Sequence, residues 1–235
     1  MARIAVLIPV YNAARFLPQT LECLRKQTYR DFSITAADDG STDGSLEILR
    51  SYPEVKVLAL PHGGVAKARN ALLAASEGEY VAFLDADDLW DSDRLEKQVA
   101  FLDEHPEYEL VMSGFQTFLD AEVTDPNESQ KEIFNAPFRY SMTAALIRRS
   151  LFARIGNINE SLDIGEDFDW LIRASTEGVD INISIPETKM YYRIHNTNTM
   201  LTAPNSREKR YRMIAAAARA GRQLSRRGSG KDGKQ

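Results

Sequence analysis

The sequence predicts an α/β fold, a mostly parallel central sheet flanked by helices, with a smaller mixed half after it. Three observations carry that expectation. Short apolar runs of strand length alternate with helix-period segments through the first 106 residues. Glycine- or aspartate-rich turns close several of those runs. The regular alternation then stops after Pro106. At 235 residues, 43% hydrophobic and 27% charged, the chain is long enough for one such domain with a substantial core.

Residues 3–10 are a continuous apolar run, as a strand covered on both faces requires. Leu17, Leu21 and Leu24 then recur at helical spacing, with Cys23 among them as a small packing residue. Residues 32–37 read as a second strand ending in Asp38-Asp39-Gly40. Ser41, Thr42 and Asp43 supply capping chemistry for a helix around Leu46, Ile48 and Leu49. Residues 55–60 are a third strand, and Pro61-His62-Gly63-Gly64 leads into a helix over 66–76. Residues 79–84 are a fourth strand, closed by Asp85-Ala86-Asp87-Asp88. Ser92 or Asp93 caps a helix running to His105. Strand–helix repetition of this kind implies parallel strands with right-handed crossovers, whose ligands bind beyond the strands' carboxyl ends. Asp39 and the 85–88 cluster sit at such ends.

The second half is less regular. Residues 110–118 read as a strand, 119–135 as an irregular polar loop, 141–147 as a strand and 148–155 as a short helix. Residues 166–177 read as a helix, and 180–185 and 189–194 as two short strands. A basic, alanine-rich helical pattern follows, and 228–235 has the Gly/Ser/Lys composition of a disordered tail.

Charge and cysteine usage narrow the classes. Residues 201–235 hold ten Lys or Arg against Glu208 and Asp232, a formal +8, which leaves −13 on residues 1–200 of the total −5. An acidic body argues against nucleic-acid binding and offers carboxylates for a metal. One cysteine allows no internal disulfide, no apolar run approaches the roughly 20 residues of a membrane span, and residue 3 enters a strand at once. The expectation is a cytoplasmic protein.

Four clusters can carry chemistry. Alternate carboxylates at Asp85 and Asp87 can converge on magnesium or manganese, which take one or two protein carboxylates beside waters and phosphate oxygens; the bland reading is a solvated acidic turn. Asp38 and Asp39 suit either turn chemistry or a bond to a base or ribose. Glu166-Asp167 at a helix start is either a dipole-favoured pair or a general base. Arg69, after a Gly-Gly loop, suits a phosphate or a surface ion pair. His195 suits a metal ligand or a phosphate contact, and His62 and His105 carry no assignment.

In order, Ile8-Pro9-Val10-Tyr11-Asn12, Gln27-Thr28-Tyr29, Asp38-Asp39-Gly40-Ser41-Thr42-Asp43, Gly64-Val65-Ala66 through Arg69-Asn70, Phe83-Leu84-Asp85-Ala86-Asp87-Asp88, Gly165-Glu166-Asp167-Phe168-Asp169 and Tyr192-Arg193-Ile194-His195 resemble the family 2 glycosyltransferases. The likeness covers roughly residues 3–200. It implies a GT-A fold, a Rossmann-like mostly parallel sheet, with residues 1–106 holding a nucleotide sugar and 107–200 facing an acceptor. A basic helix over 201–227 and the tail 228–235 would follow. The resemblance places Pro9, Tyr11, Asp39, Arg69, Asp85 and Ala86 at the nucleotide sugar, with Tyr11 stacking on the base. It places Asp87 and His195 at a Mn2+ or Mg2+ ion, Asp167 as catalytic base and Glu166 on the acceptor side. It implies a metal-dependent, inverting hexosyl transfer from a nucleoside-diphosphate sugar, a UDP-sugar first, to a glycan or lipid-linked hydroxyl in cell-envelope polysaccharide synthesis.

Rival readings lack their motifs. A nucleotidyltransferase needs a Gly-rich basic loop after the first strand and a dehydrogenase needs Gly-x-Gly-x-x-Gly there, where this chain has Pro9-Val10-Tyr11-Asn12. A degenerate nucleotide-sugar-binding module is the alternative, and it would be expected to lack Asp87 or Asp167. The basic C-terminal segment reads as a solvated or protein-docked helix, or as a peripheral contact with anionic lipid.

Overall fold

A computed structural model describes residues 2–135, 141–202 and 208. Strands β1 (Ile4–Val10), β2 (Phe32–Asp38), β3 (Val55–Ala59) and β4 (Tyr80–Phe83) are parallel and lie in the order β3-β2-β1-β4. Every residue of β1 and β4 is buried, which is why both read as unbroken apolar runs. Helices α1 (Leu17–Arg25), α2 (Ser45–Arg50) and α3 (Val65–Ala75) make the connections. Pro9 is tolerated in the middle of the sheet because the last β1–β4 pair is Leu7 with Phe83. Its missing N–H falls on the side that β4 has already left.

The chain then turns at Asp85–Asp88, where the Asp88 N–H donates to the Asp85 carbonyl at 3.1 Å. It continues as β5 (Leu89–Trp90), α4 (Arg94–Glu104), β6 (Leu110–Leu119), α5 (Glu128–Phe134), β7 (Ala145–Arg148), α6 (Arg149–Ile155), α7 (Glu166–Thr176), β8 (Ser184–Ile194) and α8 (Thr199–Thr202). β7 pairs antiparallel with both β4 and β6, β8 lies parallel to β6, and β5 pairs antiparallel with β8. The order is therefore β3-β2-β1-β4-β7-β6-β8-β5. A tight turn separates β4 from β5 in sequence although three strands separate them in the sheet, so the far half curls back over the end of β4. That curl carries β8 to the carboxyl end of the parallel strands.

Several boundaries differ from the sequence expectation, each for a local reason. Residues 119–135 are not wholly irregular: Asn127 and Gln130 form a reciprocal capping box that starts α5. Residues 141–147 divide into a 3-10 turn over 142–144 and β7. The two strands expected over 180–194 are one, because Asp180 closes a turn onto the Asn182 amide and β8 runs through Pro186 beside the register shift at Ser113/Gly114. β5 is too short to have a pattern. Gly44, at φ 91°, starts α2 without a side-chain cap, and Asp93 starts α4 while its carboxylate goes to Thr188 and Lys97 instead. The expected 201–227 helix and 228–235 tail lie outside the described residues apart from 201, 202 and 208. No helix among the described residues is long and apolar enough to cross a membrane.

Candidate active site

The loops after β1, β2 and β4 and the start of α7 meet above the parallel strands. After β1, Tyr11 is half exposed, and Asn12 turns through a left-handed φ of 49°. Asparagine tolerates that conformation, and its side chain uses it. Asn12 Oδ1 accepts from the Thr42 N–H at 2.8 Å, while its own N–H donates to Ser41 Oγ at 2.9 Å. Asp43 accepts from the Ala14 N–H at 2.9 Å. The Asp38–Asp43 segment thus stitches the β2 loop to the β1 loop.

The two adjacent aspartates divide their work. Asp38 accepts from the Ser41 N–H at 3.2 Å and closes the turn, its other oxygen buried without a hydrogen bond. Asp39, also buried, accepts from the Gly63 and Gly64 amides at 2.8 and 2.9 Å. Sequence reading left His62 unassigned. Its Nδ1 lies 3.0 Å from the Asp39 carbonyl and 2.9 Å from Asp39 Oδ2, and its ring stacks on Tyr11 with centroids 4.2 Å apart.

Arg69 is buried rather than at the surface. Its guanidinium lies against the Phe83 ring, donates to Asp85 Oδ1 at 2.8 Å and makes a short pair with Glu166. Its Nε is buried without a partner. One arginine therefore joins the end of β4 to the start of α7. Burial pushes the Glu166 carboxyl up to about 7, against the opposing pull of Arg69. Burial likewise raises Asp85, also opposed by Arg69. Glu166 is buried, whereas Asp85, Asp87 and Asp167 all lie at intermediate exposure.

Asp87 Oδ2 lies 2.9 Å from His195 Nε2. His195 is buried, packed on Phe16 at 4.3 Å, with Nδ1 within 2.9 Å of Thr197 Oγ1. Arg193, whose role no sequence pattern signals, anchors the acidic loop. Its N–H donates to Asp88 Oδ1 at 3.0 Å, its Nε to the Asp87 carbonyl at 2.8 Å and its Nη1 to Asp120 at 3.0 Å. Thr20 Oγ1 donates to the Ala86 carbonyl at 2.9 Å from the other side. Ala86 is buried, so its side chain fills the core. Oxygen and imidazole donors from Asp87 and His195 suit Mn2+ or Mg2+, which complete their shells with phosphate oxygens and water. Among the described residues no three His, Cys, Asp or Glu side chains converge, so a cation here would depend on its substrate for ligands.

Asp167 is the second residue of α7, after Gly165 at φ 80°. Its Oδ1 accepts from the Phe168 N–H at 2.7 Å. Its Oδ2 faces Ser141 Oγ at 3.3 Å and the Met142 N–H at 3.4 Å. The 141–145 segment is held from behind by α4. Buried Arg94 donates to the Thr143 and Ala145 carbonyls, and Gln98 to the Ala144 carbonyl. Of the residues singled out in sequence, Arg69 brings Asp85 and Glu166 together, and His195 meets Asp87. Tyr11 and Asp39 meet through His62.

A family profile described as Glycosyl transferase family 2 matches residues 5–157. An uncharacterized glycosyltransferase of Rickettsia bellii is 30% identical over 218 residues, which cover 87% of this chain and 30% of that protein. The Escherichia coli UDP-Glc:alpha-D-GlcNAc-diphosphoundecaprenol beta-1,3-glucosyltransferase WfaP is 26% identical over 200 residues, 83% of this chain and 78% of that one. The crystal structure of Staphylococcus aureus TarS 1–349 with UDP-GlcNAc superposes with a TM-score of 0.71 at 25% identity, covering 93% of this chain and 66% of that one. The fold is GT-A. Against three curated relatives the chain spans between 30% and 44% of their length.

Proposed function

We propose that this chain, which belongs to glycosyl transferase family 2, moves a sugar from a nucleoside diphosphate to an acceptor hydroxyl with inversion at the anomeric carbon. A UDP-sugar is the favoured donor, since TarS was solved with UDP-GlcNAc and WfaP is named for UDP-Glc. A glycan or lipid-linked acceptor of the cell envelope is the favoured acceptor class, supported by WfaP, which is named for a diphosphoundecaprenol acceptor.

The observation that carries the reading is the Arg69 bridge, which joins Asp85 at the end of β4 to Glu166 at the start of α7, with Asp87 and Asp167 near enough to act on the Asp85 charge. Tyr11 offers its exposed ring to the base and Asp39 its carboxylate to the base edge. Pro9 shapes the floor at the end of β1. Arg69 and Asp85 set the wall beside the ribose and diphosphate. Asp87 and His195 would hold Mn2+ or Mg2+, which when bound neutralises the charge of the departing diphosphate. Asp167 accepts the proton of the attacking hydroxyl on a carboxylate oxygen. That hydroxyl oxygen bonds the anomeric carbon as the carbon–diphosphate bond breaks on the opposite face. Glu166, buried on Arg69, fixes the start of α7 and so the direction of Asp167.

Calorimetric titration of UDP and GDP, with MnCl2 or with EDTA, tests the donor site. Manganese-dependent binding of UDP that Asp87→Ala removes is the expected result. Binding of neither nucleotide under either condition would sink the reading.

A further inference from the structure

His62 ties the two base-facing residues to each other. Its Nδ1 lies within hydrogen-bond distance of two Asp39 oxygens, the carbonyl and Oδ2. Both are acceptors, so Nδ1 must carry a proton and donate. The same ring stacks almost parallel on Tyr11, with centroids 4.2 Å apart and planes 19° apart. A stack of this kind holds one face of Tyr11 and leaves the other face to solvent, in keeping with the half exposure of that residue.

The backbone keeps His62 in place. Gly63 and Gly64, directly after it, donate their amides to the two oxygens of Asp39. Gly40, directly after Asp39, runs at φ 73°, and a Cβ there would meet the His62 backbone nitrogen at 2.9 Å. The loop can therefore approach only because residue 40 is glycine. Asp39 accepts three donors from residues 62–64, which leaves a carboxylate oriented by the loop and able to accept further.

We infer that His62 is a positioning residue for base recognition, holding Tyr11 flat as a stacking platform and aiming Asp39 at the base edge. The inference rests on the proposed base pocket of Tyr11 and Asp39. The base stacks on the open face of Tyr11, so that base, tyrosine and imidazole form one column. Without the imidazole, Tyr11 loses its backing and Asp39 loses one donor, while the Gly63 and Gly64 amides remain.

The test is calorimetry of UDP and GDP in MnCl2 on the full chain. The variants are His62→Ala, His62→Phe and His62→Asn, with Tyr11→Ala and Asp39→Ala as controls. His62→Ala should weaken the nucleotide bound by the wild type about 3- to 10-fold, the range of a single aromatic contact. It should also narrow the UDP-to-GDP preference, because Asp39 reads the base edge. His62→Phe, which keeps the ring alone, should restore affinity more than preference. His62→Asn, which keeps a donor alone, should restore preference more than affinity. A purely structural role would lower the bound fraction and the melting temperature without separating the two.

Unchanged binding in His62→Ala, with Tyr11→Ala and Asp39→Ala impaired, overturns the inference and spares the pocket. Tighter binding in His62→Ala also overturns it, since the imidazole would then be occupying the base's own place. Wild-type binding in both control variants removes the pocket itself.

Discussion

The end of β4 and the start of α7 come from opposite halves of the chain, yet each presents an acidic pair divided in the same way. Asp85 and Glu166 are turned onto Arg69, while Asp87 faces His195 and Asp167 faces Ser141 and the Met142 N–H. The inner carboxylates share one cation, Glu166 buried with it and Asp85 still partly exposed. Desolvation raises both, and Arg69 is the strongest influence opposing it. Among the described residues, neither outer carboxylate is paired with an arginine. On the proposed function, the comparison assigns the chemistry of each pair to the residue the arginine does not hold. The inner residue fixes geometry.

That division is broken most directly at the outer residue of α7. Asp167→Asn keeps the size, the Phe168 N–H contact and the helix start, and removes only the ability to take a proton. Transfer should fall by about 10²- to 10⁴-fold while UDP affinity in manganese stays within error. Single-turnover release of UDP from UDP-glucose or UDP-GlcNAc measures the first quantity and calorimetry the second. Turnover near wild type would move the base to another residue.

Next in size is the arginine shared by the inner pair. Arg69→Met leaves buried Glu166 and part-exposed Asp85 without a cation, and truncating one partner of a buried pair such as Arg69–Glu166 costs roughly 3–5 kcal/mol. Thermal and urea unfolding should show a loss of that order. The double variant Arg69→Met/Glu166→Gln should recover part of it, because one of the stranded charges is gone. A melting temperature unchanged in the single variant would mean that Arg69 does not hold the halves together.

How much of this was readable before the structure follows from the range of each interaction. The parallel half is made of strand, turn and helix in immediate succession, and the run at 3–10 shows its burial through continuous apolarity. The acidic pairs stand out for the same reason. Their division does not, because it depends on Arg69 reaching across to Glu166, and on Arg193 and His195 returning from the last strand to Asp88 and Asp87. None of those contacts leaves a period in the sequence. His62 was passed over because a lone histidine in a Gly-rich loop has no pattern, and only the fold puts it on Tyr11. The strand at Leu89–Trp90 is two residues long and is defined by its partner Met190–Tyr191 alone. The start of α5 was different. Asn127 and Gln130 stand three apart, the spacing of a capping box, and were legible in a segment read as irregular.

A pH series sharpens the inner pair further. With its carboxyl pushed from an ordinary 4.5 up to about 7, Glu166 keeps a proton in the folded chain that the unfolded chain has already lost. Between those two values the folded state binds more protons, so stability from this group falls as pH rises through the window and is flat above it. Glu166→Gln should remove that slope: the difference in unfolding free energy between wild type and variant should move steadily in the variant's favour from about pH 4.5 to about pH 7. A difference independent of pH would show that Arg69 holds Glu166 fully ionised.

The smallest effect tests whether the far half can be altered without touching the site. Asn127 begins α5 by accepting from the Gln130 N–H at 3.0 Å, and Gln130 Oε1 accepts in return from the Asn127 N–H at 2.9 Å. Asn127→Ala removes half of that box, a loss of about 1 kcal/mol in such caps. Gln130 also reaches Asn196 at 3.1 Å, one residue from His195, so a side chain of α5 touches the segment that carries the site histidine. Amide exchange over residues 129–134 should quicken about fivefold, the equivalent of that loss. UDP affinity in manganese should stay within error, because His195 is held by Thr197, Asn198 and Phe16 independently of Gln130. A matching drop in manganese-dependent affinity would instead make α5 part of the support for His195, and the two halves would no longer be separable on that side.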